Sequence, residues 1–140
     1  MTEIVVRPAT VADVSAVLAL WTVGAENADR PSDSAADVER LLARDPEALV
    51  LATDGEDVVG SVIVGWDGWR CHLYRLAVHP SHRRRGIGRT LLEHAEQRFA
   101  AVGGKRADAM VLDGNDLGAS IWTDAGYARQ PGWSRWVKPL

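Results

Sequence analysis

A chain of 140 residues with 46% hydrophobic and 25% charged residues has the composition of one globular domain, which we place over residues 1–140. No apolar run approaches the ~20 residues that a membrane-spanning helix requires, and the first residues lack the basic segment of a secretory signal peptide. The single cysteine, Cys71, excludes an internal disulfide framework and a cysteine-rich zinc site. We therefore expect a cytoplasmic protein with no bound metal.

The net charge of −3 is unevenly distributed along the chain. Residues 1–60 carry twelve acidic and four basic side chains, whereas residues 61–140 carry seven acidic and twelve basic ones. A basic half suits a polyanionic ligand, and an acidic half would attract a cationic substrate such as an amine. The alternative is that the first helices simply have solvated acidic faces.

The first third of the chain predicts one strand followed by two helices. Residues 4–7 form a short apolar strand, and Thr10 with Asp13 is a variant of the capping box that begins a helix. The core-facing stripe of that helix is expected to be Val11, Val14, Leu18 and Trp21. A polar loop at 24–34 then leads to a second short helix, stopped by the Asp-Pro pair at 45–46.

The middle of the chain predicts a hairpin and a central strand. Apolar runs at 49–52 and 58–64 flank an Asp-Gly turn, which is typical of a β-hairpin. A turn at 65–70 then leads into a strand over residues 71–78. Strict alternation would place His72, Tyr74, Leu76 and Val78 on one face of this strand, and Leu73, Arg75 and Ala77 on the other.

The last part of the chain predicts a long helix, a strand, a short helix and a return to the sheet. The core face of the long helix is expected to be Ile87, Leu91, Ala95, Phe99 and Val102. Residues 107–112 predict a strand, 116–125 a short helix, and 127–137 one or two closing strands. This order fits an α/β (α+β) fold with a mixed central β-sheet flanked by about four helices.

A basic loop with two glycines lies between the central strand and the long helix. The first backbone N–H groups of a helix lack intrahelical partners and carry the positive end of the helix dipole. Glycine lets the backbone approach a ligand, and arginine offers forked donors to phosphate oxygens. We therefore expect a phosphate-bearing ligand, contacted by Arg83, Arg84, Arg85, Gly86, Ile87, Gly88, Arg89 and Thr90.

The glycine spacing narrows the choice of ligand. No Gly-x-x-x-x-Gly-Lys-Ser/Thr motif is present, and Leu91 stands where a dinucleotide fingerprint needs its third glycine. Solvated arginines at a helix start, or a nucleic-acid patch, would share this composition. The negative net charge and the lack of a stacking motif argue against nucleic acid as a partner.

Several segments together resemble one known family. They are Arg83-x-x-Gly86-x-Gly88 after residues 76–80, followed by Asn115, Ile121-Trp122 and Gly126-Tyr127. The pattern resembles the GNAT superfamily of acetyl-coenzyme A-dependent N-acetyltransferases, and an uncharacterised bacterial subgroup within it. The resemblance implies a single GNAT-like domain with a V-shaped splay between the two central strands, where the pantetheine arm of coenzyme A lies.

The resemblance also implies an activity. Acetyl-CoA would be the co-substrate, and an acetyl group would pass to a primary amine by direct attack in a ternary complex. The acceptor would be a small molecule, a protein N-terminus or a lysine. A non-catalytic acyl-CoA-binding sensor is the alternative. Nucleic acid and membrane are not expected partners, and tryptophans near the C-terminus suggest a homodimer surface.

The same resemblance assigns further cofactor contacts. Backbone groups of Leu76, Ala77 and Val78 would meet the pantetheine amides, and Asn115 would contact the cofactor arm, although an asparagine there is equally a helix cap. Trp122 stands where the family usually has the tyrosine that protonates the leaving thiolate. Because an indole N–H does not titrate usefully, we expect Trp122 to pack against the pantetheine end.

Two residues of the central strand are the candidates for proton transfer. His72 occupies a position where several family members have a glutamate, and the ordinary pKa of histidine, ~6.5, suits a base near neutral pH. A partly exposed strand histidine with no role is the alternative. Tyr74 would orient the substrate or relay a proton through water, and Asp67 would bind a cationic amine or cap its own turn.

Overall fold

The computed structural model describes residues 3–24 and 31–140, so part of the predicted 24–34 loop lies outside the described residues. It contains one five-stranded sheet with the order β1-β2-β3-β4-β5. The strands are β1 (Ile4–Pro8), β2 (Leu49–Asp54), β3 (Asp57–Trp66), β4 (Cys71–Val78) and β5 (Ala107–Ala109). The helices are α1 (Val14–Gly24), α2 (Ala35–Arg44), α3 (Ile87–Ala101) and α4 (Asp116–Asp124).

The sheet is mixed, as the sequence predicted, and it is open, with β1 and β5 at its edges. Strands β1 to β4 are antiparallel neighbours, and β5 runs parallel to β4. Within residues 3–24 and 31–140, no helix is long and apolar enough to cross a membrane.

Helices cover both faces of this sheet because the strands alternate. In β2, Leu49 and Leu51 point to the layer of α1 and α2, whereas Val50 and Ala52 point to α3. One core contains Val14, Val17, Leu20 and Trp21 of α1 with Val38 and Leu42 of α2. The other contains Ile87, Leu91, Leu92, Ala95 and Phe99 of α3 with Trp122 of α4. Each fully buried Val, Leu, Ile or Phe side chain among them stabilises the fold by about 1.5–3 kcal/mol.

The start of α1 has the predicted capping interaction but a different buried stripe. Asp13 Oδ2 accepts the backbone N–H of Thr10 at 2.8 Å, and the guanidinium of Arg7 donates to both oxygens of Asp13 at 2.8 and 2.9 Å. The Arg7 hydrogen bonds lower the pKa of Asp13 to about 2. Val11 is 69% exposed, so its predicted place in the core was wrong. It lies in a 3-10 turn, which has three residues per turn, so the 3.6-residue spacing of an α-helix does not predict which of its side chains are buried.

The central strand β4 contains a bulge. Ser61 of β3 pairs with Ala77, but Ile63, two residues later, pairs with Tyr74, so β4 has one extra residue. Arg75 absorbs it with a φ of 54°. Ser61 Oγ donates to the Arg75 carbonyl at 2.8 Å and accepts the indole N–H of Trp21 at 2.9 Å. A buried side-chain network therefore holds the bulge in place.

The bulge overturns the predicted alternation along β4. Before it, Cys71 and Leu73 point to the α3 layer. After it, Val78 points to that layer and Ala77 points to α1 and α2. An extra residue shifts the two-residue period by one, so His72 and Val78 do not share a face as strict alternation required.

The C-terminal part of the chain differs most from the prediction. Strand β5 ends at Ala109 instead of residue 112, and residues 127–137 contain no strand. Pro131 and Gly132 interrupt that run, and both residue types disfavour a continuous strand. Trp133 and Trp136 are 77% and 92% exposed. Val102, expected on the core face of α3, is exposed because it follows the last residue of that helix.

The single cysteine is packed beneath the end of α3. Cys71 is buried, and a Cβ at position 104 would collide with its sulfur, so Gly104 allows the chain leaving α3 to lie directly against β4. Burial raises the pKa of the Cys71 thiol above its ordinary value. Cys71 is therefore a packed residue of the β4 strand.

Candidate active site

A V-shaped gap opens where β4 and β5 separate. The two strands pair only from Cys71 with Ala107 to Leu73 with Ala109. Beyond that point, in the part of the chain that the structure describes, residues 74–78 of β4 have no strand partner on that side. Two cavities of about 440 and 540 Å³ lie along the gap, and both are lined by Leu76. The predicted splay is therefore present, with β5 at the edge of the described sheet.

The basic loop follows β4 and ends where α3 begins. Arg84 and Gly86 have left-handed backbone, with φ of 64° and 75°. Helix α3 starts at Ile87, so the N–H groups of its first turn have no carbonyl four residues earlier to bind. Left-handed turns of this kind gather backbone N–H groups into a concave anion site. The side chains of Arg83, Arg84, Arg85 and Arg89 are exposed around it.

Hydrogen bonds tie the base of this loop to the β2–β3 hairpin. His82 Nε2 lies 2.8 Å from Asp54 Oδ2, and both side chains are mostly buried. Ser81 Oγ lies 2.8 Å from His79 Nδ1 and 2.7 Å from His82 Nδ1. The loop is thus anchored before a ligand arrives, which lowers the entropic cost of binding.

Three of the predicted loop contacts also have structural roles. A Cβ at Gly88 would come within 3.2 Å of Ile121 Cγ2, so Gly88 allows α3 and α4 to pack closely. Gly86 has open space around it, and its positive φ is what requires glycine. Thr90 directs both its hydroxyl and its N–H to the Gly86 carbonyl at 3.0 Å. Contact of these residues with a ligand stays a prediction.

The smaller cavity lies beside the loop, between β4 and α4. Its walls include Leu76, Val78, Arg83, Asn115 and Ile121. Asn115 caps α4, because its Oδ1 accepts the Gly118 N–H at 3.0 Å, and it also faces the cavity. The side chain of Ala77 packs on the opposite face of the sheet, so Ala77 can offer this cavity only its backbone.

The larger cavity contains both candidates for proton transfer. Its walls include Trp21, His72, Tyr74, Arg75, Asp108 and Trp122. His72 Nδ1 lies 2.8 Å from Asp108 Oδ1, and its Nε2 lies 3.8 Å from Asp67 Oδ2. The histidine therefore stands between two carboxylates at the end of the cleft away from the basic loop.

Asp67 is fixed by its own turn. Its Oδ1 accepts the N–H groups of Trp69 at 2.7 Å and Arg70 at 2.6 Å, which lower the pKa of the carboxyl group. The turn-capping interpretation of Asp67 is therefore confirmed. Its other oxygen remains directed towards His72.

The aromatic residues around the cleft differ in exposure and bonding. Tyr74 is 47% exposed, and burial raises the pKa of its phenol, so it presents an O–H donor at neutral pH. Trp122 is buried, with Tyr127 edge-on to it at 5.0 Å between ring centroids. The hydroxyl of Tyr127 donates to Glu96 at 2.7 Å, and burial raises the pKa of that phenol well above its ordinary value.

Sequence reasoning missed two acidic residues of this cleft. Asp108 pairs with His72, and Asp33 binds the Arg75 guanidinium at 2.8 Å. The sequence feature that could have pointed to Asp108 is a carboxylate between two alanines in a short predicted strand. Within residues 3–24 and 31–140, no group of three or more His, Cys, Asp or Glu side chains could hold a metal ion.

Comparison with known proteins agrees with this architecture. Residues 15–126 match the model of the Acetyltransferase (GNAT) family. An acetyltransferase of Sodalis glossinidius is 36% identical over 121 residues, covering 84% of this chain and 82% of that protein. One of Pectobacterium atrosepticum is 39% identical over 118 residues, covering 82% and 81%. The solved structure of yncA from Salmonella typhimurium with its cofactor acetyl-CoA superposes with a TM-score of 0.73 at 20% identity, covering 89% and 79%.

The chain belongs to the GNAT acetyltransferase family. It is therefore an acyltransferase that uses acetyl-CoA as co-substrate. The residues of the cleft suit that molecule. Exposed arginines at a helix N-terminus suit a pyrophosphate group, and the edge of β4 that lacks a strand partner within the described residues suits an extended amide-bearing arm.

Proposed function

We propose that this chain transfers the acetyl group of acetyl-CoA to a primary amine, by direct attack in a ternary complex. The observation that supports this most is the pair of cavities sharing Leu76. The basic loop borders one end of the gap, and His72 stands at the other. Such a cleft brings two substrates together, and proximity alone supplies several kcal/mol towards a reaction.

The cofactor half of the proposal uses mostly backbone. The loop from Arg83 to Arg89 would hold the pyrophosphate, and the free edge of β4 at Leu76 and Val78 would bind the pantetheine amides. Asn115 and Trp122 would contact the arm from the side of α4. When bound, acetyl-CoA supplies an acetyl thioester, a carbonyl group already activated for transfer.

The acceptor half depends on His72 and Tyr74. An alkyl amine is protonated at neutral pH and must lose a proton before it can attack. The Nε2 atom of His72 would take that proton, directly or through one water molecule. The hydroxyl of Tyr74, on the wall of the same cavity, would orient the amine.

Trp122 bears on how the thiol leaves. Its indole N–H is a donor only and cannot supply a proton. Thiols ionise near ~8.5, so coenzyme A leaves acceptably as a thiolate at neutral pH. We therefore infer that no side chain acts as a dedicated general acid.

The test combines calorimetry of acetyl-CoA binding with an assay of thiol release from acetyl-CoA. The candidate acceptors in that assay are polyamines, amino acids, aminoglycosides and short peptides. We expect turnover with one class of amine, and a fall in kcat of at least ~10²-fold in His72→Gln with unchanged affinity for acetyl-CoA. His94→Gln, on α3 and outside both cavities, is the matched control. Tight binding without turnover on any acceptor would favour the acyl-CoA sensor, and absence of binding would refute both.

The remaining expectations concern assembly and location. The exposed Trp133 and Trp136 support a homodimer, and light scattering that gives the mass of one chain would refute it. A cytoplasmic location stays a prediction, tested by fractionation of cells that produce the protein.

A further inference from the structure

His72 and Asp108 are direct neighbours across the β4–β5 pairing. The parallel register places His72 opposite Asp108, so the two side chains leave the sheet on the same face. The 2.8 Å between Nδ1 and Oδ1 is the length of a strong hydrogen bond to a charged group. The pair therefore follows from strand register, and the two residues are 36 positions apart in the chain.

The chemistry of the partner decides which ring nitrogen carries hydrogen. An ionised carboxylate can only accept hydrogen bonds, so the neutral imidazole must present Nδ1–H to Asp108. Its Nε2 is then left with a lone pair. Within residues 3–24 and 31–140, the carboxylate that faces Nε2 is Asp67, whose Oδ2 is 3.8 Å away, too far for a hydrogen bond. Nε2 is thus free to accept a proton.

We propose that Asp108 is a positioning residue for acetyl transfer. It fixes the His72 ring in the neutral tautomer that has hydrogen on Nδ1 and a lone pair on Nε2, so that Nε2 receives the proton of the acceptor amine. The inference rests on the proposed function, since it requires His72 to act as the base. Once His72 is protonated, Asp108 and Asp67 stabilise the imidazolium from both sides.

A purely structural role for Asp108 makes different predictions. Backbone pairing from Cys71 to Leu73 already holds β5, and Asp108 is nearly half exposed. If Asp108 served only to pin β5, its replacement would lower stability without altering the histidine. Other ionisable groups near His72 include Asp67 and Arg70 of the turn and Cys71 and Tyr74 of β4, and the cavity wall adds Asp33, Asp37, Arg75 and Arg135.

The first experiment is kinetic. In Asp108→Asn the amide can donate to Nδ1, which favours hydrogen on Nε2, so we expect kcat to fall about 10- to 100-fold, with KM for acetyl-CoA unchanged. Asp108→Glu keeps the carboxylate and should restore most of kcat. In a His72→Gln background, Asp108→Asn should have no further effect. An additive loss there would overturn the inference.

The second experiment observes the ring itself. Nitrogen-15 NMR at pH 8, with His72 assigned by its loss in His72→Gln, should show hydrogen on Nδ1 in the unchanged protein and on Nε2 in Asp108→Asn. The same tautomer in both would refute the inference. If His72→Gln leaves kcat intact, the base assignment of the proposed function fails. If His72→Gln lowers kcat but Asp108→Asn does not, the positioning role alone fails.

Discussion

The two ends of the cleft are built from different parts of the protein. At the cofactor end, the proposed pyrophosphate site is one continuous segment, residues 83–90, whose glycines, backbone N–H groups and helix start would bind the ligand. The proposed acceptor end instead brings together side chains from separate segments, namely His72 of β4, Asp108 of β5 and Asp67 of a turn. A backbone site tolerates change in most side chains, whereas a side-chain site changes specificity with each substitution.

The largest effect should come from breaking the cofactor end alone. Gly86→Glu puts a carboxylate into the anion site and forces a left-handed residue, so we expect the Kd for acetyl-CoA to rise by at least ~100-fold. Titration calorimetry measures this. Gly103→Glu is the matched control, since Gly103 also has a positive φ of 88° and open space. It lies at the other end of α3, roughly 22 Å away by the ~1.5 Å rise per residue. Normal affinity in Gly86→Glu would refute the loop assignment.

A second prediction concerns the bulge that joins the two ends. Ser61→Ala leaves the Trp21 indole N–H and the Arg75 carbonyl without their partner in a buried site, which should cost about 2–3 kcal/mol of unfolding free energy. Because Arg75 follows Tyr74 directly, kcat should fall as well. Urea titration and thiol release measure the two effects.

Trp21→Phe is the control for the bulge. It removes the indole donor and leaves a cavity in the core, so it should also lower stability, but it keeps the bond from Ser61 to Arg75, so kcat should fall less than in Ser61→Ala. Equal kinetic losses in both variants would show that the bulge does not position the acceptor end.

A third, smaller effect concerns how the free energy of unfolding depends on pH. The pKa of Asp13 is about 2 in the folded protein against an ordinary 3.8, so its contribution to stability is present above about pH 4 and is lost as pH falls towards 2. Asp13→Asn should remove about 1 kcal/mol at neutral pH and flatten the stability curve below pH 4. Thermal melts from pH 2 to 7 test this, with Asp57→Asn on the exposed hairpin as control. An unchanged acid slope in Asp13→Asn would contradict it.

Local sequence predicted the local features well. The bounds of β4, the interaction of Thr10 with Asp13 and the turn around Asp67 all depend on residues a few positions apart, and all were confirmed. The β4 alternation failed because the bulge at Arg75 depends on Ser61 and Trp21, which lie far away in the chain. The His72–Asp108 pair was missed for the same reason, since only strand register brings it together.

The C-terminal strands failed for a related reason. A strand needs a partner edge as well as apolar residues, and β5 offers an edge of only three residues. Residues 127–137 therefore have the composition expected of a strand but do not pair with a neighbouring strand.

The burial of Cys71 has a practical consequence for enzymology. The chain's single sulfhydryl is 2% exposed beneath Gly104, and its raised pKa keeps it in the unreactive thiol form. An aromatic disulfide reagent added to a native assay will therefore be cleaved by the free coenzyme A produced, with little background from the protein. Each turnover can be followed continuously as colour, and a sudden rise in background would report that the sheet has opened.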